Sequence, residues 1–130
     1  MDNISFELVQ RCESHARHIM EWRNDPETLR VSFHRALKVW EDFYPEFLST
    51  YFSCPSLPPV FALYEEHRVG FLRFREMPHK ENHSRRCCDI SINLAPQHRG
   101  RGFAKKTLAA AVEYAANAGF DDIYAEIREG

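Results

Sequence analysis

The chain has 130 residues, 44% of them hydrophobic and 28% charged, with a formal net charge of -2. That composition suits one globular domain with one sizeable core and excludes a disordered chain. No run approaches the roughly 20 apolar residues that span a bilayer, and the charge balance gives nucleic acid no bulk attraction.

The start, Met1-Asp2-Asn3-Ile4-Ser5, lacks the basic segment and apolar core of a secretion signal. Cys12, Cys54, Cys87 and Cys88 match no common redox or zinc spacing and read as reduced thiols in a cytoplasmic protein. His79, His83, Cys87 and Cys88 can be grouped as metal ligands on paper. Cys87 and Cys88 fall on a strand, however, where consecutive side chains face opposite ways, so no metal site is expected.

Ser5–Val9 reads as a first strand, with Phe6 and Leu8 on one face. Glu13–Arg23 reads as a helix whose apolar stripe is Ala16, Ile19, Met20 and Trp22. Asp25-Pro26-Glu27 restarts a helix, because aspartate caps open N–H groups and proline suits the first helical position. Ala36–Phe52 is amphipathic, with Leu37, Trp40, Tyr44, Phe47, Leu48 and Tyr51 at helical spacing. Pro55, Pro58 and Pro59 end the helical region.

Val60–Tyr64 and Val69–Phe74 read as strands joined by a hairpin turn at Glu65-Glu66-His67-Arg68. Met77–Arg85 is polar and reads as a loop, and Arg86–Leu94 is another strand, stopped by Pro96. Gly102–Gly119 is a long alanine-rich helix with Ala104, Leu108, Ala111, Val112 and Ala115 as its buried stripe. Gly119 ends it. Asp122–Arg128 is the last strand, with Ile123, Ala125 and Ile127 on one face and Tyr124, Glu126 and Arg128 on the other.

The order β-α-α-β-β-β-α-β predicts one α/β (α+β) domain over residues 1–130, built on a mixed, largely antiparallel sheet. The last two strands should be parallel, joined by a right-handed crossover through the long helix. A final strand with nothing after it leaves a sheet edge uncovered, which points to a domain truncated at its C-terminus.

The segment Gln97-His98-Arg99-Gly100-Arg101-Gly102-Phe103-Ala104 joins the Arg86–Leu94 strand to the long helix. A glycine-rich turn opening a helix suits phosphate oxygens, because unpartnered N–H groups and the helix dipole both attract an anion. A Walker-type loop is excluded for want of Gly-x-x-x-x-Gly-Lys-[Ser/Thr]. A dinucleotide loop is excluded because Lys105 stands where the third glycine belongs and the segment comes late in the chain. Gln97, Gly100 and Gly102 instead fulfil Gln/Arg-x-x-Gly-x-Gly/Ala. The plain alternative is a strand–helix turn in which the glycines only ease packing.

On these residues the chain resembles the GCN5-related N-acetyltransferases (GNAT) over nearly its whole length. The most specific part is Asp89–Leu108, in which Arg99-Gly100-Arg101-Gly102-Phe103-Ala104 is similar to that family's acetyl-coenzyme A signature. Trp22-Arg23-Asn24-Asp25 and Asp89-Ile90-Ser91 resemble the subgroup acting on ribosomal protein N-termini or nucleotide-linked amino sugars. The resemblance implies acetyl-CoA as acyl donor, with its pyrophosphate on the amides of Arg99, Gly100, Arg101, Gly102, Phe103 and Ala104 and with Gln97 at the border of the turn. It implies strand-like contacts from Leu94 and Ala95 to the pantetheine arm, in a gap where the sheet splays open, and a backbone N–H near Leu94 that polarises the thioester. Arg99, Arg101, Lys105 and Lys106 add positive charge around the turn, although a solvated helix face accounts equally for the lysines.

Asp89 and Glu126, carboxylates on neighbouring strands, are the candidate bases or substrate-orienting residues. A structural pair with Arg86 or Arg128 is the competing role for either one. Ser91 could orient water, and Arg23, Asn24 and Trp40 could line the acceptor side. No general acid is identified, since the family's segment carrying it is absent, and Tyr114 reads as a packing residue. His15, His18, His34, His67 and His98 have no partner pattern for a nucleophilic triad, and neither Cys87 nor Cys88 has a placed base. The expected function is transfer of acetyl from acetyl-CoA to a small-molecule amine, an amino sugar or a peptide N-terminus, with no nucleic-acid or membrane partner; a homodimer is compatible with this. The alternatives are a non-catalytic coenzyme A-binding or assembly domain, and an acyltransferase for longer acyl groups.

Overall fold

The computed structural model describes residues 3–31, 37–78, 81 and 84–128. His34, Ala36, His79, His83 and the side chains of Ile127 and Arg128 lie outside the described residues. Five strands form one sheet in the order β1 (Ser5–Leu8), β2 (Val60–Tyr64), β3 (His67–Pro78), β4 (Arg86–Leu94) and β5 (Asp122–Arg128). The first four pair antiparallel, and β4 pairs with β5 in parallel. Helices α1 (Glu13–Arg23), α2 (Pro26–Val31) and α3 (Trp40–Thr50) lie between β1 and β2 in sequence, and α4 (Phe103–Asn117) crosses from β4 to β5. This is the mixed, largely antiparallel α/β sheet that the element order predicts, with the short α2 as an additional turn and a half.

Alternation along β4 divides the molecule into two cores. Cys88, Ile90, Ile92 and Leu94 face α4 and join Leu72, Phe74, Phe103, Ala111 and Ala115. On the other face, Phe61, Phe71 and Ala95 pack with Ala16, Ile19 and Trp22 of α1 and with Phe43 and Phe47 of α3. Ile90 and Ile92 are fully buried, and each such side chain contributes about 2 kcal/mol by removal from water. The α4 stripe is rotated from expectation: Phe103, Thr107, Ala111 and Ala115 are buried, and Val112 is 39% exposed. Lys38 and the exposed Leu37 and Val39 precede α3 as non-helical residues, so the helical spacing read from Leu37 onward overextends that helix.

The strand β3 runs through Met77 and Pro78, which the polar sequence suggested were loop, because it pairs with β4 as far as Pro78↔Arg86. Its register with β2 skips Val69, between Ala62↔Gly70 and Leu63↔Arg68. This bulge turns Val69 toward the α4 core alongside Leu72, a spacing that strict alternation forbids.

The β2–β3 hairpin is tighter than expected. Tyr64 pairs with His67, leaving Glu65 and Glu66 as a two-residue loop at φ +50° and +67°. Such loops favour asparagine followed by glycine, because both positions are left-handed. The double substitution Glu65→Asn/Glu66→Gly should stabilise the fold by about 1 kcal/mol, or roughly 3–5 °C in Tm, as read by thermal unfolding. A lower Tm would contradict this turn geometry.

Beside that hairpin, Arg68 forks onto Glu7 at 2.8 and 2.9 Å and also donates to Nδ1 of His18 at 3.0 Å. Nδ1 of His15 accepts the Gln10 backbone N–H at 2.8 Å, a bond that needs this nitrogen unprotonated. Burial, and then the Arg68 charge, hold both histidines below their ordinary value of 6.5. The unfolded chain therefore binds more protons than the fold as pH drops below about 6.5, so stability falls with falling pH. Glu7 is itself lowered from 4.5 and acts only at more acidic pH. Urea midpoints taken between pH 7.5 and 5.5 should fall in the wild type and change less in His15→Gln/His18→Gln; equal slopes would refute the assignment.

Candidate functional site

The strand β4 ends at Leu94, and the chain enters α4 through a single 3-10 turn, Pro96–His98. The Ala95 N–H donates to the Val69 carbonyl at 2.8 Å, and the Ala95 carbonyl accepts the His98 N–H at 2.9 Å. N–H groups alternate sides along an antiparallel ladder, so the Leu94 N–H points away from β3, toward the β5 side. Gly70 of β3 lies against this junction: a Cβ there would stand 2.5 Å from the Asn93 carbonyl oxygen. Neither Gly70 nor the Val69 bulge was recognised from sequence.

Gly100 and Gly102 adopt φ +71° and +81°. A Cβ at either would meet nothing within 4 Å. The left-handed backbone and the open approach to it, not crowding by the protein, therefore call for glycine here. Gly102 is the N-cap of α4, and no side chain caps the helix. Phe103 anchors this end through its ring, 5.0 Å from Tyr64 and 5.5 Å from His98. Gln97, Gly100, Arg101 and Gly102 are exposed, and Ala104 is half-buried.

The charges around the turn are not equivalent. Arg99 donates to Asp25 at 3.1 Å, with side chains 11% and 25% exposed, so its guanidinium ties the turn to the start of α2. Arg101 lies 3.4 Å from His98 Nδ1; burial first, then the Arg101 charge, holds His98 below 6.5. Lys106 extends over the Tyr64 ring at 5.2 Å.

Asp89, Ser91 and Asn93 share the β4 face opposite α4, as the alternation predicts. Across β3 their partners are Arg75, Arg73 and Phe71, and across β5 Asp89 and Ser91 face Tyr124 and Glu126. The sheet thus brings Asp89 and Glu126 onto one polar surface, two residues apart in register. Asp89 forms an ion pair with Arg75 at 3.5 Å, and Arg75 is 69% exposed, so solvent weakens the pair. Arg86 pairs with Glu76 instead of either candidate carboxylate. The exposed Tyr124 places a phenol on the same surface, whereas Tyr114 packs between Phe6 and Phe74.

The early-helix candidates have structural partners. Asn24 clasps the backbone of Lys38 in both directions. Trp40 lies under Arg17 and stacks on Tyr44. Arg23 donates to the Tyr51 hydroxyl. Burial first, then neighbouring negative charge, raises the thiols: Cys88 is pushed up to about 11, and Cys87, hydrogen-bonded to Asp122, is also raised, which keeps both protonated. Among the described residues no group of three or more His, Cys, Asp or Glu is arranged to hold a metal, and no helix is long and apolar enough to cross a membrane.

The sequence profile of the acetyltransferase (GNAT) family matches residues 16–130. The chain belongs to the acetyltransferase (GNAT) family. No curated protein matches the chain. Solved structures share its fold at low identity. Ribosomal-protein-alanine N-acetyltransferase from Brucella melitensis biovar Abortus 2308 is 13% identical, with TM-score 0.62 over 98% of this chain and 80% of that one. An aminoglycoside acetyltransferase, AAC(6')-Ib, in complex with coenzyme A is 18% identical, with TM-score 0.70 over 88% and 68%. An N-acetyltransferase from Staphylococcus aureus Mu50 is 15% identical, with TM-score 0.67 over 95% and 72%.

Within this GNAT fold the Asp25–Arg99 pair spans 74 residues of sequence and joins the segment before α2 to the glycine turn. Removing one partner from a mostly buried ion pair leaves the other charge poorly solvated, at about 1–3 kcal/mol. Asp25→Ala and Arg99→Gln should each lower Tm, and the double variant should lower it by less than the sum, with a coupling of about 1 kcal/mol or more. Strict additivity would show that the pair does not brace the turn.

Proposed function

We propose that the chain is a single N-acetyltransferase domain that binds acetyl-CoA along the end of β4 and the turn into α4 and transfers the acetyl group to a primary amine. The observation that carries this reading is the pair of left-handed glycines, open to solvent, at the uncapped start of α4. The pyrophosphate rests on the amides of Arg99, Gly100, Arg101, Gly102, Phe103 and Ala104, with Gln97 at the rim. Because Ala95 gives its N–H to Val69, it is Leu94 that offers a donor to the thioester end, and Ala95 contributes contact. Arg99 acts through Asp25 more than through the phosphates.

The amine nitrogen attacks the thioester carbonyl, the oxyanion is held by a backbone N–H, and the carbon–sulfur bond then breaks, releasing coenzyme A as a thiolate that takes a proton from water. Asp89 or Glu126, directly or through water, takes the proton that the amine loses. The acceptor is an amino sugar, a peptide N-terminus or a small amine. Membership of the GNAT family, whose chemistry is acetyl-CoA-dependent transfer, supports this reading.

Calorimetric titration with acetyl-CoA, with NAD and ATP as controls, tests the site. Selective binding is expected, and no binding refutes it. Gly102→Ala should weaken acetyl-CoA at least tenfold, while the left-handed backbone costs the fold only about 1 kcal/mol. Asp89→Asn should lower turnover far more than coenzyme affinity; an equal loss in both would mean structural damage. Tight acetyl-CoA binding without thiol release across varied amines would establish the non-catalytic coenzyme A-binding domain instead.

A further inference from the structure

Two guanidinium groups converge on one buried phenol at the inner end of the polar surface. Tyr51 is 2% exposed. Arg73 lies 3.9 Å over its ring, and Arg23 donates to its hydroxyl. Among the described residues neither arginine has an ion pair with a carboxylate. Glu46 is close enough to act on the phenol, but it pairs with Lys38 at 3.5 Å. Burial raises the Tyr51 phenol above its ordinary value of 10, so it stays neutral and supplies no countercharge. Two half-buried cations held side by side without an anion are poorly placed in the protein alone.

The surrounding register gives the cluster a direction. Arg73 pairs across the sheet with Ser91, and Ser91 with Glu126. Neighbouring strands lie about 4.8 Å apart, so the β3 cation and the β5 carboxylate are separated by roughly two strand spacings on one face, with Asp89 beside them. A surface positive at one end and negative at the other complements a small molecule carrying both an anion and an amine.

We propose that Arg23 and Arg73 form an anion-binding site on the acceptor surface, so that the acceptor is a primary amine bearing a carboxylate or a phosphate. This rests on the acetyltransferase reading for its meaning but not for its test. Tyr51 holds the two guanidiniums in place, as a buried aromatic platform for one and a hydrogen-bond acceptor for the other. The anion fixes the molecule near β3 and presents its amine toward Asp89 and Glu126. Polycationic amines without an anion gain nothing from the cluster.

The test is calorimetric titration of the chain, with and without saturating coenzyme A, using O-phosphoethanolamine, β-alanine and ethanolamine as probes. O-phosphoethanolamine or β-alanine should bind at least tenfold more tightly than ethanolamine, and whichever binds better identifies phosphate or carboxylate as the anion. Arg73→Gln and Arg23→Gln should each remove that preference while leaving acetyl-CoA affinity unchanged. Arg73→Lys, which keeps the charge, should retain part of it and guards against a folding defect in the glutamine variant. Equal binding of the three probes, no binding of either anionic probe at millimolar concentration, or wild-type binding by correctly folded glutamine variants would each overturn the site. If the anionic amines bind and acetyl-CoA does not, the anion site stands and the coenzyme reading falls. The reverse result leaves the coenzyme reading standing and removes this proposal.

Discussion

The backbones of β3 and β4 approach at Gly70 so closely that a Cβ there would press within 2.5 Å of the Asn93 carbonyl oxygen. Next to this contact, the Val69 carbonyl takes the Ala95 N–H. Together they fix where β4 stops and how the chain leaves the sheet. The 3-10 turn, the two left-handed glycines and the start of α4 all follow from that exit. So does the outward aim of the Leu94 N–H, since it depends on Ala95 pairing inward. The Val69 bulge feeds this arrangement by turning an extra apolar side chain into the α4 core just before the glycine. A displaced β3 would move the glycine turn even with every residue of the turn intact.

The elements that were legible in the sequence are those whose information is local. The helix over Glu13–Arg23 and the strands Val60–Tyr64, Arg86–Leu94 and Asp122–Arg128 end where the pattern or a proline says they end. The strand β3 outruns its pattern because its last third, Arg75–Pro78, is held by backbone pairing with β4 rather than by an apolar face. Leu37 and Val39 misled in the other direction: they fit helical spacing yet sit exposed outside the helix. The Gly-x-Gly turn and the common face of Asp89 and Glu126 could be read because each depends on spacing of a few residues or on strand alternation. The Asp25–Arg99 brace and the grouping of Arg23, Arg73 and Tyr51 could not. Their partners are dispersed along the chain and meet only when α1, α3 and the sheet have packed.

A formal charge of -2 conceals how far charge is sorted within the fold. The turn before α4 combines backbone donors, the positive end of the helix and the exposed side chains of Arg101 and Lys105. The polar face of the sheet runs from Arg73 and Arg75 on β3 to Glu126 on β5. Arg75 is answered by Asp89, and Arg99 by Asp25. Among the described residues, Arg23 and Arg73 are answered by a neutral phenol and by no carboxylate ion pair. The distinction is chemical: an arginine already facing a carboxylate is a brace, and one facing an uncharged ring keeps its full attraction for an incoming anion.

That distinction also separates the two anion sites proposed for this fold. In the turn the attraction comes chiefly from amide dipoles, each weak and directional, which favour a group that can accept several short hydrogen bonds at once. At Tyr51 it comes from two whole charges on planar forks, which favour a compact carboxylate or phosphate. Arg99 belongs to the turn, and its ion pair with Asp25 withdraws a third guanidinium from competition. On the proposed reading, a ligand carrying a pyrophosphate and a ligand carrying a single anion beside an amine are thereby directed to different groups along β4. The first meets the loop that Gly70 and Ala95 position, and the second meets the face that carries Asp89 and Glu126.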